Sequence, residues 1–141
     1  MRSLLLAAAL ATLQAAAPSP EAAAFRVIVH PDVKGARVTR QSLADIFLKK
    51  TPRWADGSSI EPVDRSLTST LRAAFCRQVM GQSPAEAQIY WTKAMHEGRR
   101  PPPVKGSDEE VLAFVAATRG AIGYVSPNRA LPTTVKALEI Q

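Results

Sequence analysis

The sequence predicts an α/β domain in which a small sheet is flanked by helices. Three observations carry this expectation: short β-branched apolar runs near both ends, amphipathic stripes with capping signals between them, and turn residues where one pattern yields to the other.

Phe25-Arg26-Val27-Ile28-Val29 reads as a strand, ended by His30-Pro31-Asp32. Thr39 is placed to cap a helix in which Leu43, Ile46 and Phe47 fall at i, i+3 and i+4. Lys49 and Lys50 are expected in its last turn, where positive charge suits the helix dipole. Thr51 to Gly57 is turn-rich. Ile60-Glu61-Pro62-Val63-Asp64 reads as a short second strand, and Pro62, which has no N–H, marks an edge. A helix carrying Leu71, Phe75 and Val79 follows and stops at Gly81. Ser83-Pro84-Ala85-Glu86 is a capping box with proline at the first helical position. The helix it opens carries Ala87, Tyr90, Trp91 and Ala94 on one side. Gly98 to Pro103 is a basic, proline-rich break with no regular structure expected. A second capping box, Ser107-Asp108-Glu109-Glu110, precedes Val111, Leu112 and Val115. Arg119-Gly120 ends that helix, Ala121 to Val125 is a strand, and Val135 to Ile140 is a last one. The predicted order is β-α-β-α-α-α-β-β.

The N-terminus has a different character. Arg2 precedes an apolar run from Leu4 to Leu13, followed by the small residues Ala15-Ala16-Ala17 and Ala22-Ala23-Ala24. This pattern predicts a secretory signal over residues 1–24, with an apolar core too short to span a bilayer. Cleavage after Ala17 would leave Pro18 at the scissile bond, so a cut after Ala24 is equally compatible. The expected mature unit is a single domain over residues 25–141, exported to the periplasm or an equivalent compartment. No second hydrophobic segment follows, so no membrane span is expected in it.

The chain has 18 Lys+Arg against 12 Asp+Glu, a net charge of +6. Such a balance attracts anions, nucleic acid or a membrane surface, and an export signal argues against nucleic acid. Cys76 is the only cysteine, which excludes an intramolecular disulfide and suggests a small apolar helix residue. His30 and His96 are far apart in sequence, so no metal-ligand spacing or nucleophile-base pair emerges, and no cofactor or catalytic residue is predicted. Glycines 81, 98 and 106 stand alone and form no phosphate loop.

The segment after the second strand carries the most chemistry. Arg65-Ser66-Leu67-Thr68-Ser69-Thr70 puts one arginine and four hydroxyls at a strand-to-helix turn. Helix N-termini present unpaired N–H groups, and a guanidinium can grip an oxyanion bidentately. The other reading is local: Ser66 or Ser69 caps the helix, and Arg65 pairs with Asp64 or Asp56.

Asp45-Ile46-Phe47-Leu48, Trp54 with Asp56-Gly57, Pro62-Val63-Asp64-Arg65-Ser66, Phe75, Trp91 and Gly120-Ala121-Ile122-Gly123-Tyr124-Val125 occur in this order. Together they resemble the phosphate ABC transporter substrate-binding proteins, and most of all short, single-lobe relatives of that family. The resemblance covers about Phe25 to Pro127. It implies one lobe of a type II periplasmic binding protein-like fold and a binding role without enzymatic activity. It further implies inorganic phosphate or a similar oxyanion as ligand, with Arg65 matching the ligand arginine and Ser66, Ser69 and Thr70 supplying donors. An ABC transporter or a sensor protein would be the partner. Leu67 and Thr68 replace a stretch that is rich in glycine and acid in the family, and Lys49 stands where a glycine is usual. The segment that completes the ligand shell in longer members has no counterpart here, which implies an open, weakly binding face. The alternative function is a lobe without ligand, serving as a protein-interaction or envelope accessory module.

Overall fold

A computed structural model describes residues 24–141, so the predicted signal lies, except for Ala24, outside the described residues. The elements are β1 (Arg26–Val29), β2 (Arg37–Val38), α1 (Arg40–Phe47), β3 (Glu61–Pro62), β4 (Asp64–Arg65), α2 (Thr70–Phe75), α3 (Pro84–His96), β5 (Val104–Lys105), α4 (Asp108–Ala117), β6 (Ala121–Val125) and β7 (Lys136–Ile140). A π-helical turn over Cys76–Met80 extends α2 directly.

Five strands form a sheet in the order β2-β7-β1-β6-β3, and β4 pairs with β5 in a separate two-stranded ladder. Strand β1 is antiparallel to both β6 and β7, while β2 is parallel to β7 and β3 to β6. Four strands therefore run the same way, and their carboxyl ends share one edge. In open α/β sheets, ligands sit in crevices outside such an edge. Pro62 fits its place: the flanking Glu61 and Val63 donate N–H bonds to the carbonyls of Gly120, just before β6, and Ile122 on β6, so the residue without an N–H takes the outward position of an edge strand.

Successive side chains of a strand point to opposite faces, and the apolar residues follow that rule. Val27, Val29, Ile122 and Tyr124 pack with Leu43, Phe47 and Phe75 on one face. Ile28, Ala121 and Val125 pack with Val111, Leu112 and Val115 on the other. At the centre of the first layer, Phe75 stacks on Tyr124 with ring centroids 4.1 Å apart, and Phe25 and Phe47 meet both rings edge-on. Each such buried ring contributes roughly 1.5–3 kcal/mol through apolar area alone.

Thr39, Ser83 and Ser107 cap α1, α3 and α4 through their side-chain oxygens, as the sequence predicts. Three features differ from expectation. Helix α1 ends at Leu48, so Lys49 and Lys50 lie beyond its last turn. Lys49 takes a left-handed conformation, φ 59°, and its N–H bonds to the Ile46 carbonyl. That reversal buries Leu48 and leaves its carbonyl to accept from the Tyr90 hydroxyl at 2.8 Å. Two short strands, β2 and β5, escape the sequence pattern because two residues carry no period; backbone pairing with β7 and β4 creates them. The end of the helix after β4 is wound as a π-turn before Gly81 stops it.

Two glycines are required by close approach. Gly120 has φ 78°, and a Cβ there would stand 2.1 Å from the Ser59 carbonyl oxygen. Gly123 lets α4 settle on β6, since a Cβ would stand 2.7 Å from Val63 Cγ1 and 2.9 Å from Val111 Cγ1.

Two substitutions check these packing statements by urea unfolding at constant m-value. Lys49→Gly should raise the unfolding free energy by roughly 0.5–1 kcal/mol, because the left-handed conformation costs glycine little. Gly123→Ala should lower it by roughly 1–3 kcal/mol through overpacking between Val63 and Val111.

Candidate functional site

At the carboxyl edge beside β6, four charged side chains meet below the surface. Asp64, Arg65 and Arg72 are only 7%, 8% and 6% exposed, and the Asp108 side chain is 13% exposed. Sequence and topology explain how they arrive there. Strand β4 alternates, so Asp64 and Arg65 point to opposite faces of its ladder. Arg72 sits in α2 at i−3, i−4 and i−7 from Phe75, Cys76 and Val79, so its helix face is the buried one. Asp108 is the first residue of α4.

Asp64 is the hub of the inner half. It accepts hydrogen bonds from the Tyr124 hydroxyl and from the Arg65 backbone N–H, the latter at 2.8 Å. Arg72 Nε stands 3.4 Å from its second oxygen, an ion pair without hydrogen-bond alignment. Burial, followed by the charge and hydrogen bond of Asp64, pushes the Tyr124 phenol far above its ordinary range, so it remains the proton donor. Burial, reinforced by the Asp64 charge, also pushes the Cys76 thiol up, which keeps it neutral and unreactive. The expectation of a small apolar helix residue at Cys76 agrees with its 1% exposure.

Arg65 belongs to the outer half. Its Nη1 donates to Asp108 Oδ1 at 2.5 Å, so its partner is neither Asp64 nor Asp56. The Asp108 carboxylate also accepts from the Ser126 backbone N–H at the end of β6, at 3.2 and 3.3 Å. Burial opposes ionisation of Asp108, but the bonds from Arg65 and Ser126 outweigh it and hold the carboxyl below its ordinary range. Arg65 Nε, Arg72 Nε and Arg72 Nη1 are buried with no hydrogen-bond acceptor among the described residues. A buried donor without a hydrogen-bond acceptor costs about 1–3 kcal/mol, and three of them lie in this one cluster.

The remaining sequence-predicted residues line the turn above Arg65. Ser66 is half-buried, and its carbonyl accepts from the Ser69 N–H at 3.0 Å, closing the turn. Ser69 caps α2, its hydroxyl oxygen accepting from the Arg72 N–H at 3.3 Å, which leaves its own proton to donate elsewhere. Thr70, exposed, is the first residue of α2. Arg65, Ser66, Ser69 and Thr70 are thus gathered at one turn, while Asp64, Arg72, Asp108 and Tyr124 surround it without having been singled out from sequence. Arg72 did carry a readable signal, an arginine inside an otherwise apolar helical stripe.

No protein-family model matches the sequence, and no curated protein matches it. Solved structures do. A protein described as a phosphate ABC transporter substrate-binding protein from Clostridium perfringens, with bound phosphate, superposes with a TM-score of 0.65 at 20% identity over 83% of this chain and 44% of its own. This chain has one lobe of that fold. PstS from Borrelia burgdorferi gives a TM-score of 0.67 at 20% identity, over 84% of this chain and 47% of its own. An ABC-type phosphate transport receptor from Vibrio cholerae gives 0.64 at 19%, over 83% and 46%. The chain therefore spans less than half the length of each of these proteins, and the superpositions show a shared fold. Among the described residues no helix is long and apolar enough to cross a membrane.

The Asp108 assignment has a pH consequence. Its folded pKa lies below the ordinary 3.8, so its stabilisation is complete above that value and is lost as pH falls toward the folded one. Asp108→Asn should lower the neutral-pH unfolding free energy by about 2–3 kcal/mol and flatten the acid limb below about pH 4. An acid limb as steep as that of the unsubstituted protein would contradict the Arg65–Asp108 pairing.

Proposed function

We propose that this chain is an exported, non-enzymatic binding lobe that takes phosphate or a similar small oxyanion at the Arg65 turn. The single observation that carries the reading is the buried Arg65 guanidinium whose Nε–H has no acceptor, at the carboxyl edge of a fold shared with a protein that has phosphate bound. An oxyanion seated there would accept from Arg65 Nε–H, from the Ser66 and Ser69 hydroxyls, and from the first amides of α2 at Thr70, which have no intrahelical acceptor. Asp108 takes only Nη1 and fixes the guanidinium plane, as a positioning carboxylate does. ABC transporter or sensor proteins are the partners this reading implies. A leader at residues 1–24 and periplasmic delivery belong to the same proposal.

One observation favours a second reading, a lobe that binds proteins and no small ligand. Asp108 already neutralises Arg65 at 2.5 Å, and Asp64 lies beside Arg72, so the four buried charges balance without an anion.

Calorimetric titration with phosphate at low salt, with sulfate as control, separates the two. The proposal expects saturable phosphate binding and little response to sulfate. Arg65→Ala should weaken phosphate by about two orders of magnitude, near 2–3 kcal/mol. Arg65→Lys, which keeps a charge for Asp108 but has no Nε–H fork, should weaken it nearly as much. A flat titration of the folded protein would reject the oxyanion reading in favour of the protein-binding lobe.

A further inference from the structure

The left-handed backbone at Lys49 costs a lysine more than it would cost glycine. Burying Leu48 requires the reversal and not the lysine. Strain of this kind collects at functional surfaces, and Lys49 stands beside other cations. Lys50, exposed, holds its Nζ 5.9 Å from the centre of the Tyr90 ring. Arg99 reaches the same ring from the loop after α3: its Cζ is 5.5 Å from the centre, and its Nη1 donates to the Tyr90 hydroxyl at 2.7 Å. Because that hydroxyl donates in turn to the Leu48 carbonyl, one tyrosine joins the loop after α1 to the loop after α3. Lys93 follows Tyr90 by one turn of α3 and Arg100 follows Arg99, both exposed.

Three carboxylates lie near this group. Glu97 pairs with Arg99 at 2.7 Å, Glu86 stands one turn before Tyr90, and Asp45, one turn before Lys49, accepts from the Gln41 side chain at 3.0 Å. Among the described residues no carboxylate lies within ion-pair distance of Lys49, Lys50, Lys93 or Arg100. Topology sets the patch apart from the Arg65 turn. Arg65 ends β4 at the carboxyl edge, whereas the loop carrying Arg99 and Arg100 enters β5, parallel to β4, from the opposite edge.

Charge pattern decides the occupant. A membrane presents continuous negative charge and would press on Glu86 and Glu97 as well. A polypeptide carries its carboxylates at discrete positions, so it can pair the free cations while leaving Glu86 and Glu97 unopposed. We infer that the Tyr90 patch docks an acidic segment of a partner protein, separately from the Arg65 turn and whether or not an anion binds there. The attraction is exposed and therefore falls with added salt.

Hexaglutamate serves as the probe. Titrated into the purified protein at low salt and followed by amide NMR, it should produce saturable shifts at Lys49, Lys50, Tyr90 and Arg100. Lys49→Gly/Lys50→Gln should lower its affinity at least about tenfold while the urea midpoint holds or rises, since glycine relaxes the turn. Arg26→Gln/Arg40→Gln removes the same charge elsewhere on the surface and should change the affinity by less than about twofold. Shifts scattered over every exposed cation, equal weakening by the two double variants, or no binding at all would each overturn the inference. So would co-sedimentation with phosphatidylglycerol vesicles that is lost in Lys49→Gly/Lys50→Gln, which would make the occupant a membrane.

Discussion

The architecture turns on the burial of two carboxylates and two guanidiniums at one end of the sheet. Strand β4 is two residues long and pairs with a β5 that is equally short, so its own ladder cannot hold it. Asp64 anchors it inward to Tyr124 on β6 and to Arg72 on α2, and Arg65 anchors it outward to Asp108 on α4. Four elements are thus fixed by one charge-balanced cluster. Pairs of this kind add little net stability, since desolvation offsets attraction, but removing one member strands its partner in a low-dielectric interior. What the cluster supplies is a single arrangement of the strand-to-helix turn.

Much of the fold was legible because its elements obey a period or carry a cap. The stripe Leu43, Ile46, Phe47 and the hydroxyl at Thr39 fix α1, and both capping boxes open helices where the spacing places them. Pro62 announced its own edge. The left-handed Lys49 was not legible, because lysine has no preference for that conformation and the reversal is imposed by burying Leu48. Strands β2 and β5 exist only through long-range pairing. At the site, Arg65 and its hydroxyls were readable as a local cluster, but the partner Asp108 lies 43 residues on and looks from sequence like an ordinary helix start. Its double duty, in the first turn of α4 and on Arg65, is a property of the fold.

The carboxyl edge concentrates what is chemically unusual here: buried guanidinium N–H groups without acceptors and hydroxyls at a turn. The fold is shared with solved phosphate-binding proteins, and the oxyanion reading of the Arg65 turn is the proposal built on it. The cluster below holds this turn in one arrangement, with the guanidinium bonded on one side to Asp108 and the turn closed by Ser66 and Ser69.

The most direct measurement is the arginine Nε–H NMR spectrum of the protein with and without phosphate. The account predicts two slowly exchanging signals, from Arg65 and Arg72, amid fast-exchanging surface arginines, and a downfield shift of Arg65 alone as phosphate is added. An Arg65 signal that exchanges like a surface arginine, or that stays in place at saturating phosphate, would contradict it.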